Sequence, residues 1–149
     1  MILMSFIPSN AKEKIGDLIN EHKLNLIVVS ERKTKRGDFR VYTNGLKKIT
    51  LNKDSNKFRF LITLLHEVSH QLVFQAFGNK VRPHGIEWKK VFKEISKPFL
   101  LESIFPLSIL DAFKVYLKNP KSSADLDLEL SMSLSKFDTL SDYFYIDKL

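Results

Sequence analysis

"FRFLITLLHEVSHQLVFQAFG", residues Phe58–Gly78, is the stretch on which the fold turns. The polar run "NKDSN" before it supplies helix-capping candidates, and Gly78 supplies a stop, so the pattern predicts a helix from Phe58 to Phe77. Its apolar residues continue nearly all the way round, which is the pattern of a central helix covered on both sides. Such a helix has little reason to carry His66, Glu67 and His70 unless they do chemistry, because buried polar groups need partners.

Their spacing supplies the chemistry. Residues four apart on a helix stand one above the other, so the imidazoles of His66 and His70 can converge on one metal ion at about 2.0–2.1 Å. Glu67 lies one step round, within reach of a water at the metal and outside the ligand set. With four His and eight Glu in 149 residues, an HExxH pattern arises by chance with a probability on the order of 0.006. Coincidence is therefore a poor explanation. The chain has no cysteine, so disulfides, thiolate zinc sites and cysteine nucleophiles are excluded, and any metal must be held by His, Asp or Glu. A catalytic zinc site needs a third protein ligand. His84 in "RPHGIEWKKVF" is the leading candidate, since a turn after Gly78 returns it to the motif. Glu87 and Glu94 are the rivals; an acid in a first helical turn is already favoured by the helix dipole, and Glu94 has Lys90 or Lys97 for company. The fourth histidine, His22, reads as helix packing or surface.

Outward from the central helix, Asn10 and Glu13 resemble a capping box opening a helix over about Ala11–Lys23. "LNLIVVS", "FRVYT" and "KKITLN" read as strands, with Asn44-Gly45 as a two-residue hairpin signal between the last two. The expected sheet is a three-stranded antiparallel meander over residues 24–52, which is unstable alone and needs the central helix on one face. A further helix follows in "IEWKKVFKEI" with Trp88, Val91, Phe92 and Ile95 on one stripe, ended by Pro98. Another starts near Pro106 and stops before Asn119-Pro120. Residues 121–149 form an acidic extension whose alternating Leu126, Leu128, Leu130, Met132 and Leu134 suit a strand, while their residue types prefer helix; the two readings stay open.

Composition bounds the rest. One domain of this length can bury a core of about 70% of its unfolded surface. The opening "MILMSFIP" has no basic stretch before its apolar run and is not expected to be a secretory signal; no segment has the roughly 18 unbroken apolar residues of a membrane span. A cytoplasmic location is the expectation. The net charge of +7 favours anionic partners, and it resides in the N-terminal two thirds. The basic loop Arg32, Lys33, Lys35 and Arg36, with Arg40 nearby, is the candidate nucleic-acid contact; a solvated hairpin connection explains it as well.

"FLITLLHEVSHQLVFQAFGNKVRPHGIEWKKVF" resembles the SprT-like, or Spartan-type, metallopeptidase domain, whose pattern is HExxH followed by an HG-x-x-[FW] segment. The resemblance extends back through "VSERKTKRGDFR" and "ITLN" and thins after about Pro120, so a domain over 1–120 is implied. It implies an α+β, zincin-like fold, zinc held by His66, His70 and His84, Glu67 as catalytic acid/base, and a zinc endopeptidase acting on DNA-associated proteins or DNA–protein crosslinks. Many relatives of that type carry a cysteine-rich zinc ribbon, which a cysteine-free chain does not. Two other readings compete: a nucleic-acid-binding module with a non-catalytic zinc site, and a zinc hydrolase with a non-protein substrate. No residue near the motif marks Tyr42, Tyr116 or Arg82 as a second oxyanion donor.

Overall fold

A computed structural model of the chain describes residues 2–138. Two 3₁₀ turns, Ile2–Phe6 and Ser9–Ala11, lead into α1 (Lys12–His22); then come β1 (Leu26–Val29), β2 (Gly37–Val41), β3 (Lys47–Asn52), α2 (Lys57–Phe77), α3 (Ile86–Ser96), α4 (Leu107–Tyr116) and α5 (Leu128–Ser135). The class is α+β as expected, with five α-helices and one three-stranded sheet among the described residues.

The central helix forms as its sequence predicts. The Asn56 side chain accepts from the Arg59 amide at 3.2 Å, satisfying one of the first-turn donors, and Gly78 ends the helix at a φ of 63° that a β-carbon disfavours. Phe60, Leu61, Leu64, Leu65 and Val68 are each at most 1% exposed. Each such side chain withdrawn from water contributes about 1.5–3 kcal/mol. The polar residues of the motif are thus held by a segment that has no freedom to move away.

The sheet departs from the expected meander. Its order is β1-β3-β2, with β1 parallel to β3 and β2 antiparallel to it. Burial explains why β3 takes the centre: Ile49 and Leu51 are fully buried, whereas Ile27 of β1 and Val41 of β2 keep over a third of their surface exposed. The chain must then cross from one edge to the other, and Asn52 makes the crossing possible. Its side-chain amide donates to the carbonyls of Arg32 and Lys35 at 3.2 and 2.5 Å, and its Oδ1 accepts from Arg32 Nε at 2.8 Å. Two part-buried loop carbonyls gain a partner there. The β2–β3 hairpin does form, with three residues, Thr43–Gly45, between the Tyr42 and Leu46 pair; Gly45 takes a φ of 86° and donates to the Tyr42 carbonyl. A three-residue loop with glycine at the left-handed position is the next favoured hairpin after the two-residue form.

Asn10 does not cap α1: its amide donates instead to the Ser103 carbonyl at 2.7 Å, tying the N-terminus to the loop before α4. The undecided leucine run is helical as far as Ser135. Asp127 caps α5 by accepting from the Leu130 amide, and Leu130 and Leu134, four apart, are the two that enter the core. Arg36 donates to Asp125 through Nε and Nη2 at 2.7 and 3.1 Å, and Arg59 donates to Asp138 through Nη1 and Nη2 at 2.6 and 3.1 Å. These bidentate pairs lash residues 124–138 to the sheet and to the start of α2. Residues 139–149 of the acidic extension lie outside the described residues.

Candidate metal centre

His66 and His70 project from the middle of α2, and the loop between α2 and α3 returns His84 to meet them. That loop closes by a turn in which the Gly85 amide donates to the Arg82 carbonyl at 3.1 Å, and α3 starts immediately after. The Nε2 atoms of the three histidines stand 3.1, 3.1 and 3.2 Å from one another. Four-coordinate zinc with nitrogen ligands spaces them about 3.3 Å apart, so the triangle fits one such ion. It does not fit mutual hydrogen bonding. A neutral imidazole nitrogen is either a donor or an acceptor, so three facing nitrogens leave lone pairs opposed; a shared cation satisfies all three.

Electrostatics keeps the ring nitrogens in their ligating form. Burial, then the neighbouring His70 and His84, brings His66 down to about 3. Burial, then His84, brings His70 down to about 4, and burial alone lowers His84. All three are therefore neutral near pH 7. Among the described residues these are the one set of three that could hold a metal ion. Glu94 faces Lys97 at 3.6 Å on the surface, Glu87 folds back over Gly85, and His22 sits beside Glu21 at 3.8 Å.

Glu67 is 7% exposed and points toward β2. Burial raises its pKa from 4.5 to about 8; Asp38 adds to the rise, while Arg32 and Lys35 oppose it. Gly37 of β2 makes room for this carboxylate: a β-carbon there would stand 2.9 Å from Glu67 Cγ, 2.9 Å from Thr63 Cγ2 and 3.0 Å from a carboxylate oxygen. Sequence reasoning missed Gly37, because a glycine in "KRGD" carries no sign that a helix approaches it. It read Trp88 only as a core residue on its stripe, although the HG-x-x-[FW] pattern that the sequence resembles puts an aromatic at that position.

The chain matches the model of the SprT-like family over residues 10–109, from before α1 into α4. The chain belongs to the SprT-like family. It is similar to Protein SprT of Glaesserella parasuis serovar 5 (strain SH0165), 44% identical over 50 residues that make up 34% of this chain and 31% of that protein. It is also similar to Protein SprT of Pseudomonas paraeruginosa (strain DSM 24068 / PA7), 46% identical over 33 residues, 22% of this chain and 20% of that one. The chain thus spans less than a third of the length of these curated relatives. No solved structure matches it.

The expected nucleic-acid residues do not act alike. Arg36 is engaged by Asp125. Arg32 is laid across β3 by Asn52 and by the Thr50 hydroxyl at 2.9 Å, while Lys33 and Arg40 are exposed. On the sheet face away from α2 lies an open pocket of about 180 Å³ lined by Arg32, Asp38, Arg40, Tyr42, Lys48 and Thr50. Tyr116, which nothing in the sequence marks as an oxyanion donor, gives its hydroxyl proton to the Lys121 carbonyl at 2.8 Å. No helix among the described residues is long and apolar enough to cross a membrane.

Proposed function

We propose that this SprT-like chain is a zinc-dependent endopeptidase of zincin type, with His66, His70 and His84 as ligands and Glu67 as general acid/base. The observation that carries the reading is the convergence of three neutral imidazole nitrogens on the helix face adjoining a buried, protonatable carboxylate. Zinc bound there supplies Lewis-acid polarisation of a scissile carbonyl and of the attacking water. Glu67 takes the proton from that water and passes it to the departing amine. Its burial favours the protonated state needed for the second half of that task. The peptide lies along β2, an edge strand whose outer backbone groups can pair with an extended chain and select weakly for side chains.

The test is zinc content of the purified protein, followed by cleavage of an unfolded protein substrate with and without DNA. About one zinc per chain with chelator-sensitive cleavage is expected; zinc without cleavage supports a non-catalytic centre instead. Gly37→Ala is expected to keep the metal and lower turnover about 100-fold, since misplacing a catalytic group by about 1 Å costs that much. Equal zinc content with unchanged kcat would remove Gly37 from the site.

The proposed polyanion contact is Arg32, Lys33, Lys35 and Arg40, with Arg36 available only when Asp125 releases it; the pocket adds Lys48. Binding to single- or double-stranded DNA is expected to weaken steeply with salt. Replacing both Arg40 and Lys48 by Ala should lower the slope of log affinity against log salt by roughly 1.5. A slope that stays put excludes the sheet face as the contact.

A further inference from the structure

Among the described residues, the Trp88 ring packs against the rings of all three candidate ligands. Its ring centroid lies 4.7 Å from that of His66, 5.5 Å from His70 and 4.8 Å from His84. The contacts differ in kind: the indole stacks on His70 at 24° and meets His84 edge-on at 83°. Its N–H donates to the His66 carbonyl at 3.3 Å, the carbonyl that also closes the helical turn to His70. Trp88 is fully buried, and Phe92 stacks behind it at 4.9 Å and 25°. Phe92 in turn meets Phe113 and Tyr116 of α4. An aromatic column therefore runs from the packed core to the ligand rings.

Metal-binding histidines are commonly oriented by a hydrogen bond to the second ring nitrogen. Among the described residues no side chain or carbonyl accepts from Nδ1 of His66, His70 or His84. Packing then bears on the orientation of the rings: Phe92 meets His66 alone, at 5.9 Å, whereas Trp88 meets all three. We infer that Trp88 is a positioning residue for the metal centre, which sets the ring orientations and thereby the affinity and coordination geometry of the metal. It acts by shape: three rings with different tilts are wedged against one rigid plane, and a smaller side chain would let each of them swing.

The inference rests on the metal-centre reading, and the test separates the two. Zinc affinity is measured by competition with a chromogenic chelator, and geometry by the absorption spectrum of the cobalt(II)-loaded protein, for the wild type, Trp88→Phe, Trp88→Leu and Phe105→Leu. Phe105 is a core control whose ring meets Phe58 and Phe113 and no ligand. Trp88→Phe is expected to bind zinc about tenfold more weakly, the scale of outer-shell losses, with an altered cobalt spectrum; Trp88→Leu should fall further. Phe105→Leu should lose thermal stability and keep its affinity. If Trp88→Leu does not fold, Trp88→Phe decides. A loss under threefold in Trp88→Phe with an unchanged spectrum overturns the inference, as does an equal loss in Phe105→Leu. A wild-type protein that binds no zinc overturns the metal-centre reading itself. Trp88 is the chain's single tryptophan, so its fluorescence reports metal binding in the wild type directly.

Discussion

His84→Ala is expected to weaken zinc binding on the order of 10³-fold, well beyond the 10–100-fold typical of an outer-shell partner. The reason is geometric. His66 and His70 share one helix face, but two imidazoles leave an ion half-coordinated, and the third corner of the triangle is the Nε2 of His84 at 3.1 and 3.2 Å. His84 is also the candidate ligand that costs least to remove, because it sits half-buried on a loop whose closing bond is made by backbone atoms of Arg82 and Gly85. The metal-free variant should therefore melt close to the metal-free wild type. Adding zinc should raise the melting temperature of the wild type by mass action and leave the variant unmoved. Glu87→Gln and Glu94→Gln should bind as the wild type does. A variant at 84 that still binds tightly, alongside loss at 87 or 94, moves the third ligand to the carboxylate.

Much of this centre can be read in one dimension because its determinants are local. The four-residue spacing of His66 and His70, the caps at Asn56 and Gly78, and the all-round apolar character of α2 lie within about two dozen residues. His84 could be singled out because a stop followed by a short loop allows little but a return toward the motif. The sheet order could not. Neighbouring strands usually pair in sequence order, and what overrides that here is the deep burial of Ile49 and Leu51 together with the clamp of Asn52 on the carbonyls of Arg32 and Lys35. A buried asparagine and a surface asparagine look alike in a sequence. The same holds for Gly37, whose value lies in the 2.9 Å approach of a side chain thirty residues away. Arg36 illustrates the converse: it belongs by composition to a basic loop, yet its charge is spent on Asp125, a partner that no local pattern announces.

Glu67→Gln should separate binding from catalysis. The amide keeps the shape of the carboxylate and leaves the three imidazoles untouched, so zinc content should match the wild type while peptide turnover drops about 10³-fold, within the range of general acid–base contributions. Stability gives an independent check on the carboxylate's environment. Burial lifts its pKa from 4.5 to about 8, so the fold favours the protonated form. The stabilisation tied to that proton is complete below about pH 4.5 and is lost as pH rises to about 8. Glutamine is neutral throughout. In the presence of a chelator, urea unfolding at pH 4 should give the same stability for Glu67→Gln and the wild type; at pH 8 to 9 the variant should be the more stable by on the order of 3 kcal/mol. Equal stability at both pH values would mean that water reaches the carboxylate freely. The buried acid on which proton transfer to the leaving amine depends would then be absent, even if zinc were bound.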